Sequence, residues 1–233
     1  MTPASHLLRT ALPGTLAALL LLPAGALRAE TLGNLAELKP GSRLAAYFYG
    51  REQVSDLYAI GRHWDKKLGL QQDCKGQYNI QPAGLFLLKP IDFPEDRPHP
   101  VTGTWQHRFV FERCGKRMTY NAIFIARNGE KPEARPHIPG TTNASMLLVS
   151  DTLKGAYPAV LLRVGRNKDA KDCKEAELID TLLTQPPRAP ADGKASGSWE
   201  ETWTFRGCGH DVELPIAFTP DGKGGTTYSI KGR

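Results

Sequence analysis

"WEETWTFRGCG", residues 199–209, sets an apolar or aromatic side chain at nearly every second position and closes on a Cys-Gly pair. Trp199, Glu201, Trp203 and Phe205 alternate with Glu200, Thr202, Thr204 and Arg206, the period-two pattern of a strand with one buried face. The alternation resumes in Val212, Leu214, Ile216 and Phe218. Two such runs joined by "GCGHD" predict a β-hairpin, with Gly209 free to take positive φ at the turn.

The same device stands earlier as "WQHRFVFERCG", residues 105–115, followed by Met118, Tyr120, Ala122 and Phe124. Laid on each other, Trp105 falls on Trp199, Phe109 on Trp203, Phe111 on Phe205, Cys114-Gly115 on Cys208-Gly209 and Phe124 on Phe218. Further back, Asp73-Cys74-Lys75 falls on Asp172-Cys173-Lys174, and Tyr58 on Tyr157. Ordered matches, with length changes confined to Pro- and Gly-rich stretches, argue for a duplicated unit.

Four cysteines allow three pairings, and the repeat selects one. Each unit owns two cysteines at matching places, so Cys74–Cys114 and Cys173–Cys208 are expected, each worth about 3–4 kcal/mol on the loop-entropy model. The absence of any C-x-x-C removes support for a redox motif or a zinc site.

Earlier strands are expected at Gly84–Lys89 and Leu178–Leu183, and fourth strands at Ser145–Ser150 ("SMLLVS") and Thr227–Ile230. "VSDLYAIGRHWDKKLG" places Leu57, Ile60, Trp64 and Leu68 on one helical face, with Ser55 or Asp56 as N-cap. In the second copy, Gly155 and Pro158 restrict the expected helix to Pro158–Val164. "AAYFY", 45–49, reads as an extra strand or helix turn, and "RNGEKPEARPHIPG", 127–140, as a charged, Pro-rich loop. The fold class is therefore α+β: a tandem duplication of a helix plus a four-stranded antiparallel sheet, with one disulfide per unit. The expected division is 1–29 signal peptide, 30–150 first unit with its lead-in, and 151–233 second unit.

Residues 1–29 carry Arg9, an apolar centre in "TLAALLLLP" and small residues before Glu30, the order of a secretory signal cleaved after Ala26 or Ala29. Its apolar run is too short to span a bilayer. Without it, 28 basic and 24 acidic side chains remain, a net of +4 that is too mild for a nucleic-acid-binding stripe. The densest basic stretch, "RVGRNKDAKDCK" at 163–174, is diluted by Asp169 and Asp172 and reads as a solvated turn region. Export and disulfides point to the periplasm or the medium.

Catalytic signatures are missing: no nucleophile elbow, H-E-x-x-H, phosphate loop or dinucleotide fingerprint occurs. "DGKGG", 221–225, lacks the alternating oxygen ligands of a calcium loop and reads as a turn. His99 and His137, each after Arg-Pro, lack a neighbouring acid or cysteine and read as loop residues rather than metal ligands. His107 and Glu201 stand out because they occupy matching positions on the apolar face, between Trp105 and Phe109 and between Trp199 and Trp203. Either this end of each face opens to water, or the units pack through these faces about a pseudo-twofold, so that His107 and Glu201 meet or line one cleft, since a buried ionisable group is costly unless paired.

The expected function is a non-enzymatic exported protein, without cofactor or metal, that binds a protein or cell-envelope component. No nucleic-acid partner and no transmembrane segment after signal cleavage are expected. A first alternative is a small-ligand or lipid-binding protein using the aromatic face of Trp105, Trp199 and Trp203. A second is a hydrolase with a site near His107 and Glu201.

Overall fold

The computed structural model describes residues 34–36, 38–70, 74–76, 78–187 and 197–232. The expected signal segment lies outside them. Both aromatic runs form the hairpins they predict. Strands β3 (Thr102–Arg113) and β4 (Lys116–Arg127) pair antiparallel with Trp105 opposite Phe124, and β7 (Trp199–Gly207) and β8 (His210–Pro220) pair with Trp199 opposite Phe218. At each two-residue turn the cysteine joins the glycine at positive φ: Cys114 at 45° with Gly115 at 76°, and Cys208 at 48° with Gly209 at 81°. Positive φ at both central residues is the type I′ geometry, whose twist matches the flanking strands.

The first sheet has the order β1-β2-β3-β4-β5, with β1 at Asn34–Leu35, β2 at Tyr78–Asp92 and β5 at Glu133–His137. The second has the order β6-β7-β8-β9, with β6 at Glu177–Gln185 and β9 at Thr226–Ile230. Every pairing is antiparallel. The two-residue β1 adds a fifth strand to the first sheet beyond the four expected.

Helix α1 (Arg43–Phe48) is capped by the Ser42 hydroxyl, which accepts from the Ala45 amide, and forms from the "AAYFY" stretch. The chain passes through Tyr49 and Gly50 directly into α2 (Arg51–Lys67), so α2 begins a turn before the N-cap expected at Ser55 or Asp56. Leu57, Ile60 and Trp64 lie buried on the first sheet, as their spacing predicts.

Three element assignments are corrected. "SMLLVS" is no strand: Ser145 caps helix α3 (Met146–Val164) by accepting from the Leu148 amide at 3.2 Å. The helix runs through Gly155 and Pro158 because Leu148, Thr152, Ala156, Val160 and Val164 recur at every fourth position and bury one stripe on the second sheet. It crosses the expected division between residues 150 and 151. The fourth strand of the first sheet is instead β5, inside the stretch expected to be a loop. It is an edge strand, where proline and charge are tolerated, and Pro136 sits opposite Ala122.

The disulfides pair within units, Cys74 with Cys114 and Cys173 with Cys208, each tying a hairpin tip to the segment before the unit's first long strand. Each sheet face carries its own apolar core under its own helix. Contacts recur between the units: Trp105 stacks on Phe124 at 5.4 Å as Trp199 does on Phe218 at 5.0 Å, and Tyr58 meets Phe111 edge-on as Tyr157 meets Phe205.

Candidate functional site

Alternation along β3 and β7 turns Trp105, His107, Phe109 and Phe111, and Trp199, Glu201, Trp203 and Phe205, toward the helices. All are fully buried, so neither aromatic row presents a surface to a ligand. His107 and Glu201 are both 0 % exposed, which excludes an end of the sheet face open to water. They serve separate cores and have different surroundings.

Glu201 is a hydrogen-bond hub. Its Oε1 accepts from the Trp199 indole and from the Asn143 amide, both at 2.8 Å, and its Oε2 accepts from the Trp203 indole at 2.7 Å. Three donors converge on a carboxylate that would otherwise be costly to bury. The Asn143 contact fastens the lead-in to α3 onto the second sheet.

His107 has no such partners. Phe48, Tyr49 and Phe124 surround its ring, and both ring nitrogens and the nearby Trp105 Nε1 lack a hydrogen bond among the described residues. Burial lowers its pKa to about 4, so the ring is neutral at ordinary pH. With the imidazole and the carboxylate in separate cores, they form no acid–base pair.

A polar network joins the units. Gly140 donates to Thr119 O on β4, and Thr141 N and Thr181 O on β6 bond at 2.5 Å, so the segment after β5 bridges the two sheets. Gly140 has φ +95°, and a side chain there would collide with the Thr181 backbone. Beneath the bridge, Asn121 binds Ile138 O and Gly140 O, accepts from Gln106 at 2.7 Å, and accepts from Arg108, whose other arm reaches Thr142 O. Burial lowers the Arg108 pKa to about 10, against the pull of the Glu201 carboxylate. His137 lies at the end of β5, and burial with the Arg108 charge lowers its pKa to about 4.

A second buried polar group escaped the sequence reading. Arg113 Nε forms an ion pair with Asp65 Oδ2, and the Tyr120 hydroxyl donates to Asp65 Oδ1 at 2.8 Å. Burial pushes the Asp65 carboxyl up, while the Tyr120 hydrogen bond and the Arg113 charge pull it down. The available signal was Arg113's place on the buried parity of β3, two residues after Phe111.

Two clefts lie at corresponding places beside the disulfides. One, of about 630 Å³, is lined by Arg62, His63, Asp65, Lys66, Leu70, Cys74 and Tyr78. The other, of about 620 Å³, is bordered by Tyr157, Leu161, Lys174, Glu177, Arg206 and Cys208. No group of three or more His, Cys, Asp or Glu side chains able to hold a metal occurs among the described residues. His99 instead meets the Tyr47 hydroxyl, and Asp221 accepts from the Lys223 and Gly225 amides within its own turn.

The outer face of α3 is the unusual surface. Leu162 is 73 % exposed and Leu147 65 %, with Met146, Tyr157 and Pro158 also exposed. At the positions of α2 that match Leu161 and Leu162 stand Arg62 and His63. No helix among the described residues is long and apolar enough to cross a membrane. No family model, curated protein sequence or solved structure matches the chain.

Proposed function

We propose that the chain is a non-enzymatic, exported binding protein, periplasmic or secreted, that engages a cell-envelope component through the outer face of α3. The observation that carries this reading is the contrast between the two helices. In α3 the solvent side holds Leu147 and Leu162 beside Asp151 and Lys154, while α2 has Arg62 and His63 where α3 has Leu161 and Leu162 and keeps an exposed tyrosine, Tyr58, at the position of Tyr157. Exposed apolar groups on a disulfide-pinned scaffold suit binding, because a rigid surface gives up little conformational entropy on association. The polar groups on the aromatic faces are engaged in the fold or sealed within it, which leaves the surface to define the function.

Tandem duplication of one helix-plus-four-strand unit accounts for the recurring Trp–Phe stacks, Tyr–Phe edges, type I′ turns and disulfides. The disulfides support an oxidising compartment. Export predicts a processed chain beginning at Leu27 or Glu30, checked by N-terminal sequencing. Binding is tested by affinity capture from an envelope extract with the processed chain and with Leu147→Glu/Leu162→Glu. A component held by the former and lost from the latter supports the reading, and capture indifferent to the substitutions overturns it.

A further inference from the structure

The α3 face has a chemistry that narrows its partner. Leu147, Asp151, Lys154, Pro158 and Leu161 follow one another at three- and four-residue steps and, with Leu162 four residues after Pro158, fall on one stripe of the helix. The stripe is apolar at both ends. Its two charges neutralise each other, since Lys154 Nζ meets Asp151 Oδ1 at 2.7 Å.

Immediately after the helix comes the basic stretch that sequence analysis reads as solvated turn. Arg166, Lys168, Lys171 and Lys174 are exposed there. Asp169, Asp172 and Glu175 are exposed among them, Asp169 meeting His210 at 3.1 Å, so these four basic groups exceed the three acids by one. Lys174 and Arg206 share the second unit's cleft with Tyr157 and Leu161, beside Glu175 and Glu177, so charged groups border the apolar stripe directly.

We propose that this face docks on an anionic phospholipid surface, an inference that rests on α3 being the binding face. Exposed leucines reach the acyl boundary, Tyr157 sits at headgroup level, and the basic turn meets the phosphates. The hydrated headgroup layer accommodates the Asp151–Lys154 pair between the two apolar ends, and the long Lys154 stem lets its ammonium reach water. A dry groove on a protein would instead have to desolvate that pair. The net positive charge of the processed chain acts in the same direction.

The test is flotation of the processed, disulfide-intact chain with two vesicle populations: phosphatidylcholine alone, and equal parts phosphatidylcholine and phosphatidylglycerol. Binding is expected to be at least about tenfold stronger to the anionic vesicles. Leu147→Glu/Leu162→Glu is expected to weaken it about tenfold or more, and Lys168→Glu/Lys171→Glu to remove most of the anionic preference. Circular dichroism and thermal melting report whether each variant remains folded, and Leu162→Ser offers a milder second probe. Absence of vesicle binding, or binding equal for wild type and both folded leucine variants, overturns the proposal. A concentration-dependent dimer that Leu162→Ser abolishes, with no vesicle binding, assigns the face to a second copy and also overturns it. If vesicles fail but envelope capture still depends on the leucines, the lipid inference falls and the binding reading stands.

Discussion

The two units solve the same packing problem with different chemistry at both ends of the sheet. Beside the disulfide, the first unit buries Asp65, Arg113 and Tyr120, where the second has Val164, Gly207 and Leu214. A Cβ built on Gly207 would lie 3.2 Å from a Val164 methyl, so the apolar set meets where the ion pair sits in the first unit. At the other end the contrast reverses. Glu201 satisfies two indoles and an amide, while His107 and Trp105 leave three ring nitrogens without partners among the described residues. The layout demands neither polar group, since each unit folds without the one its counterpart has.

The largest expected effect separates the ion pair from the fold. Asp65→Val leaves Arg113 buried without its counter-charge and is expected to destabilise the chain by about 3–5 kcal/mol in urea denaturation with disulfides intact. Replacing the set with apolar groups of similar volume, Asp65→Leu/Arg113→Met/Tyr120→Phe, is expected to return stability to within about 2 kcal/mol of wild type. That outcome would make the first unit behave as the second already does. A combined variant no better than Asp65→Val would show that the triad has a role packing cannot replace.

The next effect turns on His107. Its folded pKa of about 4 lies below the ordinary 6.5, so as pH falls the unfolded chain takes the proton first. Its contribution to stability is complete above 6.5 and is lost progressively down to about 4, a loss of about 3 kcal/mol at most. Phe48, Tyr49 and Phe124 pack against it, Leu85 and Ala122 stand opposite it, and burial alone lowers its pKa, with no carboxylate pulling the other way. His137 titrates in the same window, with the Arg108 charge adding to burial. His107→Phe is therefore expected to remove roughly half of the acid sensitivity, measured as the shift in urea midpoint between about pH 7 and about pH 4. An undiminished shift would place the acid-sensitive groups elsewhere, and His137→Phe would test the remainder.

The sequence made the hairpins, the disulfide pairing and the buried rows legible because each depends on local alternation or on the repeat. Elements governed by tertiary context were less visible. Gly155 and Pro158 suggest an interrupted helix, yet the four-residue spacing from Leu148 to Val164 runs straight through them. β5 lacks an apolar pattern because it is an edge strand whose backbone pairing, more than its side chains, places it. Glu201 announced itself by standing on the apolar face, and its indole partners lay two residues to either side. Asp65 and Arg113 gave a weaker sign, since an acid near the end of a helix and a base near a turn read as surface charges until the fold brings them together.

The smallest stability effect should come from the most consequential surface difference. Leu161→Arg/Leu162→His gives α3 the residues that α2 carries at the matching positions, Arg62 and His63. Leu162 is 73 % exposed, and Leu161 is half-buried in the cleft wall outside the apolar core, so the exchange sacrifices little core area and stability is expected to change by no more than about 0.5 kcal/mol. The reverse exchange, Arg62→Leu/His63→Leu, is less innocent. Arg62 donates to the Tyr78 hydroxyl at 2.7 Å and lies over that ring, so its loss is expected to cost about 1 kcal/mol. Thermal melts of the two exchanges measure whether the outer faces are separable from the scaffold. A forward exchange that melts like wild type but loses vesicle binding separates the binding face from the fold. A forward exchange that destabilises by more than about 1 kcal/mol would mean that the leucines contribute to the core beneath them, and their exposure would lose its functional meaning.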